Sequence, residues 1–278
     1  MCPELFYCPE GTQLALACPN GYWTPWKAAE SENDCITCPR GKWCNFSDMR
    51  ANAAFMTWMK AQLSHDGFVM TDIPNVHLNQ FWGDCANGYI CLEGATTPTP
   101  NSPSDGGGYP CPIGHYCPAG VIVEMPCKPG TYQDQTLQSS CKPCPAGFYC
   151  PYFAMETPSE DFDAGFELEC TEGYYCPQGS IYPTPCPAGT FNSPAGSDDD
   201  GDCDPCTATY YCDIVGQIAE ADICADGYIC TGGDARPASF NDIVTMSGST
   251  ATSSGQCPIG YSCTAGEADP IECISTTY

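Results

Sequence analysis

Basic residues are scarce. Eight Lys and Arg stand against 34 Asp and Glu in 278 residues, a net charge of −26. A nucleic-acid surface needs clustered cations to displace the counterions of phosphates, and this chain cannot assemble one. An anionic membrane repels it for the same reason. The charge instead favours solubility and contact with divalent cations. Long apolar runs are lacking too, which excludes a membrane-inserted helix. No secretory signal precedes the first cysteine, because Met1 is followed at once by Cys2. A secreted protein carries such a signal, so a processed or partial chain is expected. Histidine is limited to His65, His77 and His115, scattered without ligand spacing.

Cysteine is what the sequence has in excess: 25 residues, with 28 Gly and 27 Pro. That density marks a disulfide scaffold in an oxidising compartment, so an extracellular, secreted or cell-surface location is expected. Gly and Pro at this level favour turns over long helices and strands.

An internal repeat dominates the chain. The element Cys, five residues, Cys occurs nine times: Cys2/Cys8, Cys38/Cys44, Cys85/Cys91, Cys111/Cys117, Cys144/Cys150, Cys170/Cys176, Cys206/Cys212, Cys224/Cys230 and Cys257/Cys263. Inside it the text is nearly constant, as in CPRGKWC, CPIGHYC and CPAGFYC. Seven of the nine copies carry Gly three residues after the first Cys, and the other two carry Leu5 and Thr209. Cys-Pro-x-Gly suits a type I turn with Pro second and Gly fourth. The aromatic that follows is expected to cover its own disulfide as the main apolar contact of a very small core.

Three six-cysteine modules share the spacing C-x5-C-x9-C-x(13 or 16)-C-x2-C-x5-C. The chain divides into module 1 (1–44), an insertion (45–84), a two-cysteine half-module with a Pro/Thr/Ser linker (85–110), module 2 (111–150), a connector (151–169), module 3 (170–212), a second half-module with a Ser/Thr linker (213–256) and a shortened module 4 (257–278). Ala51, Phe55, Met59 and Leu63 recur at helical spacing inside the insertion, which predicts a helix within about 48–64. The fold class is therefore small disulfide-rich repeats: an elongated tandem array of short β-ribbons with little regular structure and one helical insertion.

The isolated pairs Cys85/Cys91 and Cys224/Cys230 have no other cysteine near in sequence. The simplest closure bonds each C-x5-C to itself and leaves Cys18–Cys35, Cys127–Cys141 and Cys186–Cys203. Cys273 is then unpaired. Its partner by repeat position would fall beyond Tyr278, which again suggests that the polypeptide continues.

The text CPxGxYC followed by C-x2-C-P-x-G resembles the ephrin-receptor-like cysteine-rich repeat, and more loosely the tumour necrosis factor receptor module. The resemblance covers about two thirds of the chain and fails in 45–84, 94–110 and 231–256. It implies extracellular rods in receptors and in large surface proteins of protists, flagellar hairs among the plausible settings. It carries over no catalytic or ligand-binding residues.

Other chemistry has weaker support. The CxxC pairs Cys35/Cys38, Cys141/Cys144 and Cys203/Cys206 lack a second zinc knuckle and a βαβ redox context. Asp198, Asp200 and Asp202, with Asp199 and Asp204 around Gly201, are candidate calcium ligands; the alternative is a solvated acidic loop. No other cofactor is expected. Asn45-Phe46-Ser47 is the one N-x-S/T acceptor and is expected in an exposed loop. Thr96, Thr97, Thr99, Ser102 and Ser104 are candidate O-glycan sites in a tract that, like Ser247 to Ser254, reads as unable to pack a core. No nucleophile or acid–base motif is present, so an enzyme is not expected. The functional expectation is a structural, glycosylated repeat rod of a filament, wall or surface appendage. Its partners would be copies of itself or neighbouring repeats. The alternative is a receptor or adhesion ectodomain that binds a protein or glycan.

Overall fold

The computed structural model describes residues 2, 6–12, 15–26, 28–46, 81–158, 168–235 and 243–274. The helix expected within 48–64 lies outside the described residues, as do Ser47, His65 and His77. Regular structure among the described residues consists of twelve two-stranded sheets with strands of two or three residues, two 3-10 turns and one helical turn at Pro103–Gly106.

Twelve disulfides hold these pieces. Nine close a C-x5-C element on itself: Cys2 with Cys8, Cys38 with Cys44, Cys85 with Cys91, Cys111 with Cys117, Cys144 with Cys150, Cys170 with Cys176, Cys206 with Cys212, Cys224 with Cys230 and Cys257 with Cys263. The other three join Cys18 to Cys35, Cys127 to Cys141 and Cys186 to Cys203. The protein is thus a disulfide-rich array of small repeats.

The backbone repeat is shorter than the six-cysteine module. A repeat begins at an opening cysteine, and three residues later comes a residue with left-handed backbone: Gly21, Gly41, Gly88, Gly114, Gly130, Gly147, Gly173, Gly189, Thr209, Gly227 and Gly260. The turn bond runs from the residue after this glycine to the residue after the cysteine, as in Lys42 to Pro39 (3.2 Å) and Tyr174 to Thr171 (3.1 Å). Glycine is therefore third in the turn, with φ of +78° at Gly41 and +82° at Gly173. That is the type II requirement and corrects the type I reading. The glycine is needed because its two peptide groups must face the next repeat.

Hydrogen bonds to the next repeat follow one rule. The turn residue's amide donates to the residue six places after the next opening cysteine, and its carbonyl accepts from that cysteine's amide. In the first compact unit of the chain, Gly41 donates to Cys91 (2.9 Å) and accepts from Cys85 (2.8 Å). Gly88 does the same with Cys117 (2.8 Å) and Cys111 (2.8 Å). In the second, Gly147 donates to Cys176 (2.9 Å) and accepts from Cys170 (2.8 Å), and Gly189 donates to Cys212 (2.7 Å) and accepts from Cys206 (3.0 Å). The first unit comprises 1–127, 133–142 and 153–156; the second comprises 128–132, 143–152 and 157–278.

Where the residues are described, a repeat has a second left-handed turn nine or ten residues after its opening cysteine. Its amide donates back to the previous opening cysteine, as from Gly94 to Cys38 (2.8 Å) and from Gly216 to Cys186 (2.8 Å). The residue after it bonds back as well: the Cys44 amide donates to Ala95 (2.9 Å) and the Cys212 amide to Asp234 (2.8 Å). The second-turn carbonyl fills the space where a first-turn glycine two repeats back has no β-carbon. A Cβ on Gly41 would meet the Gly120 oxygen at 2.4 Å, and one on Gly147 the Gly196 oxygen at 2.6 Å. Among the described residues these bonds join each repeat to the next one or two in sequence order.

The ribbons obey the same logic. Residues four and five after an opening cysteine pair antiparallel with the two residues before the next one, for example Tyr22–Trp23 with Ile36–Thr37 and Tyr210–Tyr211 with Asp222–Ile223. The fifth residue then reaches forward. Trp43 packs on Cys85 and Cys91, Ile90 on Cys111 and Cys117, and Ile229 on Cys257 and Cys263. Trp43, Ile90 and Ile229 thus cover the following repeat's disulfide, while Tyr89 packs on the cluster that holds its own, Cys85–Cys91. The small cores are shared between repeats, and the expectation of an aromatic on its own disulfide holds at Tyr89. The buried residues form several small clusters built this way.

The Ser/Thr tracts pack as well. Pro100 is fully buried, and the Ala86 amide donates to the Pro98 carbonyl (2.9 Å). Ser102 caps the helical turn Pro103–Gly106 by accepting from the Ser104 amide. Met246–Ser247 and Thr250–Ala251 form a hairpin whose Ala251 is buried with Val244 and Ile229. Neither tract is a bare linker; hydroxyl and proline turns let both fold onto the repeats.

Candidate functional site

The acidic loops of modules 1 and 3 are built alike. In each, a 3-10 turn ends at an aspartate just before a cysteine: Glu32–Asp34 before Cys35, and Asp200–Asp202 before Cys203. The Asp34 carboxylate accepts from the amides of Glu30 (2.8 Å) and Ser31 (2.9 Å). The Asp202 carboxylate accepts from Asp198 (2.8 Å) and Asp199 (3.4 Å). Asp199 in turn accepts from the Gly201 amide (2.7 Å). These are capping boxes, in which a carboxylate satisfies amides left open at the start of the turn. The Ser31 amide, with the Glu30 amide second, holds the Asp34 carboxyl below its ordinary range.

Asp198, Asp199 and Asp202 can each place one carboxylate oxygen within 4.8 Å of the others. A hard cation would suit such oxygens. The sequence selected Asp200 for this set, whereas the turn geometry brings Asp199 into it. Asp200 and Asp204 are exposed to solvent.

The glycan candidates sit as follows. Asn45 is half-buried, its amide donating to the Phe81 carbonyl (2.7 Å), and the Phe46 amide donates to the Asn20 side chain (3.1 Å) with Phe46 buried. This is a packed strand end and not the open loop that was expected. Thr99 and Ser104 are exposed, while Thr96, Thr97 and Ser102 are half-buried. Cys273 is exposed and free, and its amide donates to the Gly260 carbonyl (2.9 Å), the bond of an opening cysteine.

Cysteine counting missed one class of residue. In repeats that open at Cys18, Cys127 and Cys186, the sixth place holds Thr24, Gln133 and Asn192, all almost fully buried. They occupy the station that the second cysteine fills elsewhere, as Cys212 does in the repeat that opens at Cys206. Gly114 donates to the Gln133 carbonyl (2.7 Å) and Gly173 to the Asn192 carbonyl (2.8 Å), as other turn residues donate to cysteine. The Gln133 side chain accepts from the Gln135 amide (3.2 Å). The Asn192 side-chain oxygen has no partner, because Pro194 stands where that amide would be.

One aromatic cluster stands out in the first compact unit. Trp23 and Trp82 stack at 5.7 Å, and Lys42, ion-paired with Asp84, lies 4.9 Å above Trp82. Among the described residues no helix is long and apolar enough to cross a membrane. No protein-family model matches the chain and none of the curated proteins does, so its likeness to the ephrin-receptor-like repeat rests on cysteine spacing and the CPxGxYC text alone.

Proposed function

We propose that this chain is a non-enzymatic structural protein of an extracellular filament, wall or surface appendage, built from ephrin-receptor-like repeats and carrying glycans. The supporting observation is the bonding pattern. Each turn residue from Gly21 to Gly227 ties its repeat to the next through two main-chain hydrogen bonds, and local disulfides staple the repeats. Load applied along such a chain is shared by short covalent loops. In the chain-entropy account a small closed loop contributes roughly 2–3 kcal/mol by limiting the unfolded state. Twelve disulfides also suit an oxidising compartment. Calcium at Asp198, Asp199 and Asp202, and glycans at Asn45 and the exposed Thr99 and Ser104, belong to the same reading. Neighbouring copies or repeats are its partners.

Negative-stain microscopy of the oxidised chain, with calcium and with chelator, tests this. Regular fibres or end-to-end assemblies are expected. A chain that stays monomeric and binds a protein or glycan saturably would favour the receptor or adhesin reading.

A further inference from the structure

The second compact unit carries large apolar side chains that its fold leaves exposed. Ile181, Tyr182, Ile214, Val215 and Ile218 are 42, 68, 63, 59 and 50% exposed. Repeat geometry groups them. Ile181 and Ile218 each stand two residues after a second-turn glycine, Gly179 and Gly216, in repeats two apart. Ile181 Cγ1 lies 3.3 Å from the Cβ position of Gly130 and Ile218 Cγ2 3.3 Å from that of Gly173, so the two hold the same station of the stack, two repeats apart. The loop between Asp213 and Ile218 is pinned: the Gly216 amide donates to Cys186 (2.8 Å) and the Gln217 carbonyl accepts from Asn192 (2.9 Å). Ile214 and Val215 are therefore held outward by a fixed backbone.

The charged side chains next to these residues in sequence are acidic among the described residues: Asp213, Glu220 and Asp222 stand beside Ile214, Val215 and Ile218, and Asp198, Asp199 and Asp200 are exposed in the preceding repeat. The described residues of this compact unit include a single basic side chain, Lys128. This selects the occupant. A second copy brings its own −26 charge, an anionic lipid surface is repelled, and a neutral glycan leaves the carboxylates unused. Aliphatic side chains interspersed with Lys or Arg satisfy both features.

We propose that this ridge docks a basic, aliphatic-bearing polypeptide segment of another protein. The apolar side chains supply the contact area, and the surrounding carboxylates steer the approach and select the sign of the partner. The proposal does not depend on the filament reading.

The test is calorimetric titration of the full oxidised chain with a synthetic peptide of alternating leucine and lysine, and with oligolysine of equal charge, at physiological salt. The leucine–lysine peptide is expected to bind more tightly. The double variant Tyr182→Ser/Ile218→Ser is expected to weaken it about tenfold and to leave oligolysine binding unchanged. Ile214→Ser/Val215→Ser, on the pinned loop, gives an independent reading if the first variant fails to form its disulfides. Equal binding of both peptides, or peptide binding indifferent to either variant, overturns the proposal. So does a wild-type chain that dimerises alone while the variants stay monomeric, since the ridge would then serve a second copy.

Discussion

The carbonyl oxygen of Gly216 lies 2.2 Å from the point where a β-carbon on Gly173 would stand. Backbone meets backbone there, so nothing flexible can yield. Gly227 has the same left-handed backbone, φ +84° against +82°, with nothing within 4 Å of its Cβ position. The two glycines separate conformational cost from packing cost. Gly227→Ala is expected to cost about 1 kcal/mol for left-handed backbone alone. Gly173→Ala adds overpacking of about 1–3 kcal/mol. Denaturant unfolding with disulfides intact reads the difference. Equal losses would mean that the stack relaxes and the close approach carries no weight.

Thr209 is the exception that probes the same station. It holds φ +81°, yet its amide donates to Cys230 (2.9 Å) and its carbonyl accepts from Cys224 (2.8 Å), as glycine does elsewhere. A β-branched residue in this region is strained by about 1–3 kcal/mol, partly offset by the chain entropy that glycine brings. Thr209→Gly is expected to stabilise by about 1 kcal/mol. Hydrogen exchange at the amides of Thr209 and Cys224 should slow in the variant. Faster exchange would show that the threonine side chain contributes packing that outweighs its strain.

Local pairing was legible because a C-x5-C loop brings its own ends together whatever surrounds it. Register between repeats was not. The turn moved by one place because the glycine's conformation is set by the next repeat's cysteine amide, a partner well outside the turn that no local pattern reveals. The true repeat hid behind cysteine counting, since Thr24, Gln133 and Asn192 fill the second-cysteine station without a thiol. A search for Cys-x-x-Gly, ignoring the second cysteine, includes the turns at Gly21, Gly130 and Gly189 among its hits. For the acidic loop the sequence left calcium ligands and a solvated loop both open. A carboxylate one place before Cys35 and again before Cys203 is the capping signal that distinguishes it.

Disulfides should open in order of burial. Both cysteines of Cys38–Cys44, Cys85–Cys91, Cys111–Cys117, Cys144–Cys150 and Cys170–Cys176 are 0% exposed. Cys35 and Cys141, the first members of their CxxC pairs, are half-buried, as are Cys8 and Cys257. Thiol and phosphine attack requires access to sulfur. Limited reduction followed by alkylation and peptide mapping should label Cys35 and Cys141 well before Cys111 or Cys117. Early labelling of the Cys111–Cys117 pair would mean that the repeats open as whole units before any bond is cut.

Glu124 and Tyr109 give the pH dependence. The Tyr109 hydroxyl donates to the Glu124 carboxylate at 2.8 Å. Glu124 is held below the ordinary carboxylate range, first by its own backbone amide and next by the Tyr109 hydroxyl, with His115 and Arg40 adding favourable charge. Tyr109 is raised, first by burial and then by the Glu124 bond. A depressed carboxyl stabilises the fold above its unfolded titration range and loses that contribution as pH falls through its folded value. A raised phenol stabilises below its ordinary range and loses the contribution as pH rises through its folded value. The pair therefore holds across neutral pH and releases at both extremes. Carbon NMR of the Glu124 carboxyl should place its midpoint below that of a free glutamate. Tyr109→Phe should move the midpoint up without restoring the ordinary value, because the backbone bond remains. An unmoved midpoint would show that the hydroxyl contributes nothing to the carboxylate, and full restoration would show that the backbone amide does not hold it.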